Sequence, residues 1–241
     1  MGLVRVTAEV VGGVVAGGHP IHLDGILAWV WSYRHGARPD RPAPTWRTEV
    51  TRSGAMPQRP HLPLRSVCAL GSRVWCASGW LPLGEHPAPT FLVKRRDDED
   101  VHRLAMPFTP GSGPARNTMQ RVTAHTVQEI QWLAFGQPKE IRHALACVGF
   151  IGGVRRAGFG EVTAWRVEAA DVDPMRLLVD QDGRAARHLP VDWATHVDGP
   201  VIRGGIEPPY FVEAGKRAII PVGTRVELHA EVVEALRAAV V

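Results

Sequence analysis

The residue types best suited to chemistry lie between positions 149 and 168, in the stretch GFIGGVRRAGFGEVTAWRVE. Gly149, Gly152, Gly153, Gly158 and Gly160 surround two adjacent arginines, Arg155 and Arg156. A guanidinium grips phosphate through paired, planar hydrogen bonds. Glycines let main chain lie close against a bulky anion and present successive N–H groups to it. The composition of this stretch suits a polyanion. The competing reading is a tight helix-to-strand turn whose glycines serve geometry alone, although such a turn needs only one or two of them. Two nucleotide-binding readings fail. A phosphate loop ends in Gly-Lys-Ser/Thr and enters a helix, and a dinucleotide fingerprint runs from strand to helix. Here a helix precedes the glycines and a strand follows.

Charge points the same way, though mildly. The chain has 241 residues and carries 28 basic against 24 acidic side chains, a net +4, and only Lys94, Lys139 and Lys216 are lysines. The arginine excess suits phosphate and base recognition; coding in a GC-rich genome would produce it as well. Its distribution is uneven. Arg34 to Arg73 holds eight arginines against Asp40 and Glu49, whereas Ala169 to Pro200 holds six aspartates against three arginines. The first segment suits a polyanion, the second solvent or a basic partner.

Other chemistries are poorly supplied. Cys68, Cys76 and Cys147 are odd in number and lack a Cys-x-x-Cys pair, which argues against a disulfide framework or structural zinc. Cys68 and Cys76 flank a turn and could pair across it, but buried free thiols are the simpler reading. The eleven histidines are scattered, so neither a metal nor another cofactor is expected. No apolar run reaches the ~18–20 residues that span a bilayer. The opening Met-Gly-Leu-Val-Arg-Val reads as a strand and not as a signal peptide. A cytoplasmic protein without membrane contact is the expectation.

These candidates need elements to position them. Residues 3–10 alternate as a strand. Leu23, Ile26, Leu27, Val30 and Trp31 fall on one helical face, with Asp24 in the first turn, Arg34 and His35 in the last, and Gly36 to end it. Residues 37–65 hold six prolines and no usable period, and read as a long excursion. Residues 66–83 suggest a hairpin turning at Gly71-Ser72, and 90–96 another strand running into the acidic 97–100. Residues 118–136 have the content of a long strand or hairpin arm. Pro138 opens a second helix, with Ile141, Ala144, Leu145 and Val148 on its apolar face, and 161–168 alternate as a strand. Short strands around 200–222 and a closing helix over about 226–241 complete the chain. The order βαββαβ is that of a ferredoxin-like α+β fold: a core over 1–168 with a large β-hairpin insertion at about 37–117, and a C-terminal extension over 169–241 packed on that core.

The glycine stretch, placed after the second helix of such a fold, resembles the glycine-rich loop of the RAMP superfamily of CRISPR-associated proteins, whose core is RRM-like. The closest resemblance is to the subunit of type IV effector complexes that caps the 5′ end of the guide RNA. Three further motifs carry it: HLDGILAWVW at the first helix, ARNTMQRVTAHTVQEIQWLAFG before the second, and IEPPYFV near the C-terminus. What the resemblance implies is a non-catalytic, RNA-binding subunit of an antiviral and antiplasmid ribonucleoprotein that holds the 5′ handle of the crRNA. Its thumb would bend the RNA, and the subunit would contact the backbone and large-type subunits. The target would be double-stranded DNA, met near the motif beside it. Carried onto this chain, Gly152, Gly153, Arg155, Arg156, Gly158 and Gly160 form the RNA-facing loop, Arg116, Asn117 and Arg121 are further contacts, and Arg47, Arg52, Arg65 and Arg73 are thumb candidates on charge.

A sister branch of that superfamily cleaves precursor crRNA without metal, usually with a histidine near the first helix, and His19, His22 and His35 lie there. His22, at a helix start that would lower its pKa, is the candidate base for such an endoribonuclease. A lone histidine at a helix start also packs or caps, and in the cleaving relatives the glycine loop lies closer to the C-terminus. The holder is the preferred reading. Trp29, Trp31, Trp75 and Trp80 could stack on bases, Trp75 and Trp80 being the better candidates and Trp31 suiting the core, and Glu207–Phe211 suits a docking segment or a buried turn.

Overall fold

Alternate residues of the first strand, Val4, Val6, Ala8 and Val10, are all buried, as expected for a strand with one face on a core. The computed structural model describes residues 1–16, 20–36, 60–82, 86–94, 118–153, 158–208, 210 and 215–241. In it β1 (Gly2–Val11) pairs antiparallel with β8 (Glu129–Gly136) on one side and β9 (Glu161–Ala169) on the other. A short strand β5 (Leu81–Pro82) extends the sheet beyond β8, giving the order β5-β8-β1-β9. The chain passes from β1 to β5 through α1 (Leu23–Gly36), and from β8 to β9 through α2 (Pro138–Leu145). Each strand–helix–strand unit therefore holds a strand of the other between its own two. The class is α+β with antiparallel sheets and more strand than helix, as the sequence leads one to expect.

Both helices lie on one face of this sheet. Leu23, Leu27, Ala28 and Val30 of α1 and Ile141, Ala144 and Leu145 of α2 share a core with Val4, Val6 and Ala8 of β1 and Ile130, Trp132 and Ala134 of β8. Ile26 and Trp31 pack at its edge. Proline stands in the first turn of α2, where its missing N–H is harmless. The intervening residues of β8, Leu133 and Phe135, face the other way into a second core built by the C-terminal region, including Leu177, Leu178, Leu189, Trp193 and Ile219. One strand thus feeds two cores through its two-residue period.

The insertion is partly core as well. Strands β3 (Ser66–Ala69) and β4 (Ser72–Trp75) form a hairpin. It turns at Leu70-Gly71, one residue earlier than expected, with φ of 46° and 71°. Both turn residues are left-handed, as two-residue hairpins that follow strand twist prefer. Pairing stops at Trp75, and the following residues bridge Ala77 to Ala134 before reaching β5. Trp75 and Trp80 are buried at 7% exposure each. The expectation that they stack on bases is corrected: their rings fill the first core.

Residues 118–136 divide between sheets. β7 (Thr118–Thr126) pairs with β6 (His86–Lys94) and with the two-residue β2 (Val14–Val15), and only β8 joins the main sheet. At the C-terminus β10 (Leu189–Pro190), β13 (Arg217–Ile220) and β12 (Ile202–Gly204) form one small sheet. β11 (Ala194–Asp198) and β14 (Arg225–Leu228) form another. The closing helix α3 spans Ala230–Ala239. It starts later than expected because Val226 and Leu228 alternate within β14. Among the described residues no helix is long and apolar enough to cross a membrane.

Candidate functional site

The glycine loop leaves α2 through Val148 and is fastened at both feet to main chain. Gly153 N–H donates to the Val15 carbonyl at 2.7 Å, Gly160 N–H to Gly13 at 2.7 Å, and Ile151 N–H to Gly160 at 2.8 Å. Two glycines are dictated by this packing. A Cβ on Gly160 would stand 1.9 Å from the Ile151 carbonyl oxygen, and one on Gly152 2.7 Å from that of Val15. Gly158 has open space but a φ of 82°, which other residues avoid. Gly149 and Gly153 have neither constraint. A turn alone therefore accounts for three of the five. Gly153 and Gly158 are exposed.

Through Val15 the loop is continuous with the β6–β7 arm, since Val15 bridges Gly153 and pairs with Ala124 of β7. Phe159 packs on Val122 and Ala124. Arg121, exposed, precedes Val122 on this strand and so points to the opposite face of the ribbon. Arg65 is exposed at the base of the β3–β4 hairpin. Arg73 is engaged elsewhere. Its Nε bonds Glu207 at 3.2 Å and its guanidinium lies 4.6 Å over the Trp75 ring, in a cleft shared with Ser72, Arg217 and Glu231. The structure brings Gly152, Gly153, Gly158, Gly160 and the strand of Arg121 together, and places Arg65 and Arg73 on a different element. Arg47, Arg52, Arg116, Asn117, Arg155, Arg156 and His19 lie outside the described residues.

Sequence reasoning missed a buried polar cluster behind the loop. Arg187 and Asp24 form an ion pair at 3.1 Å with both side chains wholly buried. Tyr210 donates its hydroxyl hydrogen to the Asp24 carboxylate, 2.7 Å from either oxygen. The remaining guanidinium donors reach the carbonyls of Trp75, Ala77 and Ile206. Burial opposes the charge on Arg187 most strongly, but the Asp24 carboxylate, Tyr210 and Cys76 together outweigh it and raise the pKa. The Tyr210 phenol is pushed well up by burial and by the same carboxylate.

His22 lies against this cluster, stacked on Tyr210 at 4.7 Å and edge-on to His188 at 4.7 Å. Burial, then Arg187 and His188, hold its pKa well below 6.5. The available signals were the Leu-Asp-Gly and Pro-Pro-Tyr motifs. Asp24 reads as a helix-dipole charge and Tyr210 as part of a turn, and neither spacing reveals that they meet. Gly25 sits beside the contact: a Cβ there would stand 3.3 Å from the Tyr210 ring, which would have to give slightly.

A second cleft, ≈ 240 Å³, opens between α1 and the loop, lined by His22, Ile26, Trp29, Phe150, Gly152 and Tyr210 among others. Among the described residues no group of three or more His, Cys, Asp or Glu is arranged to hold a metal ion. All three cysteines are free.

None of the curated proteins compared with the chain matches it. Residues 101–220, just under half of the chain, match the family model of CRISPR type IV associated protein Csf3. The matched span includes α2, the glycine loop, β9, Arg187 and Tyr210. This similarity supports placing the chain among the subunits of type IV CRISPR–Cas systems.

Proposed function

We propose that the chain is a non-catalytic RNA-binding subunit of a type IV CRISPR effector ribonucleoprotein, holding the 5′ handle of the crRNA along the glycine loop. The observation that carries this reading is the loop's attachment: its feet are pinned main chain to main chain on Gly13 and Val15, while Gly153 and Gly158 face solvent. Between those two glycines the sequence sets Arg155 and Arg156. Main-chain donors and guanidinium forks on a braced, side-chain-poor bend are what a ribose-phosphate strand requires. The interleaved order β5-β8-β1-β9 supports a ferredoxin-like RAMP core. The β6–β7 arm, continuous with the loop through Val15, supports a thumb beside the RNA. Backbone and large-type subunits would meet the chain in the assembled complex, which would act on double-stranded DNA in the cytoplasm.

Burial of His22 favours holding over cleavage, since a general base must reach the proton it abstracts. Purification of the protein from cells that express a CRISPR array tests the reading. Co-purifying guide RNA that dissociates steeply with salt is the expected result. A chain that retains no RNA at low salt would overturn it. A discrete product from repeat RNA in the absence of metal, abolished in His22→Ala, would replace the holder with an endoribonuclease.

A further inference from the structure

β12 is the outer strand of its small sheet: in the order β10-β13-β12 it pairs with β13 and, among the described residues, with no other strand. A strand paired on one side leaves main-chain donors and acceptors open to a further strand. Ile202 and the preceding Val201 stand 40% and 46% exposed at this edge. Adjoining exposed aliphatics mark a contact surface where isolated ones do not. Two clefts meet beside the edge, and Arg217 lines both. One, ≈ 340 Å³, is bounded by Val201, Ile202, Arg203, Arg217 and Ala218. The other, ≈ 510 Å³, includes Arg73, Glu207 and Glu231. Their charges are unequally met. Arg73 is paired with Glu207 at 3.2 Å, whereas Arg217 donates from Nη1 to the neutral Ser72 hydroxyl at 2.7 Å and pairs with no carboxylate among the described residues. Ser72 is buried, so the guanidinium is anchored while its charge stays uncompensated.

We propose that this edge receives an extended segment of a partner protein, which adds as a strand to β12, lays an apolar side chain on Ile202 and sets a carboxylate on Arg217. The proposal goes beyond RNA holding and does not depend on it. Strand register supplies the spacing. Ile202 pairs with Ile219 and Gly204 with Arg217, so Ile202 and Arg217 belong to one face of the sheet. Because β12 carries glycine opposite Arg217, no side chain of β12 stands between that guanidinium and the open edge on this face. An incoming strand therefore needs its apolar and acidic residues two positions apart, since adjacent residues point to opposite faces. Main-chain pairing would give affinity and these two side chains specificity, as in other strand additions. The lining disfavours a nucleic acid. None of the described residues around either cleft is aromatic, which leaves bases nothing to stack on.

The test is fluorescence anisotropy of the full chain with three labelled, end-capped peptides: Ser-Thr-Val-Thr-Glu-Thr-Ser, the same peptide with Lys for Glu, and Ser-Thr-Thr-Val-Glu-Thr-Ser, in which Val and Glu are adjacent. The first should bind more tightly than either of the others. Arg217→Gln keeps a donor for Ser72 and should lower its affinity about 10-fold or more, the loss of a hydrogen bond between charged groups. Arg217→Glu should transfer the preference to the Lys peptide, a reversal that a merely structural arginine would not produce. Ile202→Ser, at an exposed position, should weaken binding without moving the unfolding midpoint. No binding of the first peptide at low salt, or equal binding of all three, overturns the proposal. Displacement of the bound peptide by oligouridylate RNA, lost in Arg217→Gln, would assign the edge to nucleic acid and overturn it as well.

Discussion

Tyr210 and Asp24 are 186 residues apart in the chain, and the phenol hydroxyl lies 2.7 Å from both carboxylate oxygens. This contact closes the C-terminal region onto the start of α1, and Arg187 locks it from beneath. Asp24 of Leu-Asp-Gly and Tyr210 of Pro-Pro-Tyr therefore meet in one buried cluster.

Breaking that structure should be costly in a graded way. Asp24→Asn leaves the wholly buried Arg187 guanidinium without its counter-charge and should cost about 3–5 kcal/mol. Tyr210→Phe removes the hydroxyl that donates to Asp24 and accepts from Arg187, and should cost about 1.5–3 kcal/mol. The double variant Asp24→Leu with Arg187→Met should lose less than Asp24→Asn alone, since a buried ion pair often exchanges for apolar residues at little net cost. Urea unfolding followed by circular dichroism ranks the three. A double variant less stable than Asp24→Asn would refute the account.

The pH dependence of stability has two limbs. His22 stays neutral in the fold because its pKa lies well below 6.5, first through burial and then through Arg187 and His188. Unfolded, it binds a proton as pH falls through 6.5, so the native state loses stability on the acid side by up to about 1.4 kcal/mol per pH unit. His125, also lowered by burial, adds in the same direction. His22→Phe should reduce that slope. On the alkaline side the Cys76 thiol, pushed from 9.0 to about 12 by burial, remains protonated in the fold after its unfolded counterpart ionises. Tyr210, also raised, behaves alike, and stability should decline as pH climbs past 9.0. An acid slope identical in His22→Phe and wild type would remove His22 from this role.

The glycines of the loop should separate by alanine scanning. Gly149→Ala meets open space and should be neutral. Gly158→Ala also meets open space but must hold a φ of 82°, for about 1–2 kcal/mol. Gly160→Ala adds a Cβ 1.9 Å from the Ile151 carbonyl oxygen and should be the most damaging. Melting temperatures establish the order. Equal effects at Gly158 and Gly160 would show that the feet of the loop are not braced as described.

Arg155→Ala combined with Arg156→Ala should weaken RNA binding without lowering the melting temperature. The log–log salt slope should fall by about 0.7 for each phosphate of a single strand that the variant no longer neutralises. Unchanged affinity and slope would move the phosphate path away from the loop.

Local pattern made much of this fold legible. The alternation of Val4, Val6, Ala8 and Val10, the helical stripe from Leu23 to Val30, and Pro138 ahead of Ile141, Ala144 and Leu145 each specify an element from neighbours alone. The glycine stretch was recognisable as unusual for the same reason, because its density exceeds what one turn uses. Errors arose where context outranked pattern. Val226 and Leu228 suit a helix until β11 is available to pair with them, and Trp75 and Trp80 suit a stacking surface until the sheet buries them.

By itself, the sequence determined the class of the fold, several of its elements and the setting of two arginines among glycines between α2 and β9, because these follow from periodicity and residue type over short spans. Only the tertiary structure decided that Asp24, Arg187, Tyr210 and His22 share one buried cluster and that a cleft with an aromatic rim opens beside the loop. Contacts between residues more than a hundred positions apart depend on how the sheet is ordered and which face each layer covers, and no local pattern encodes that.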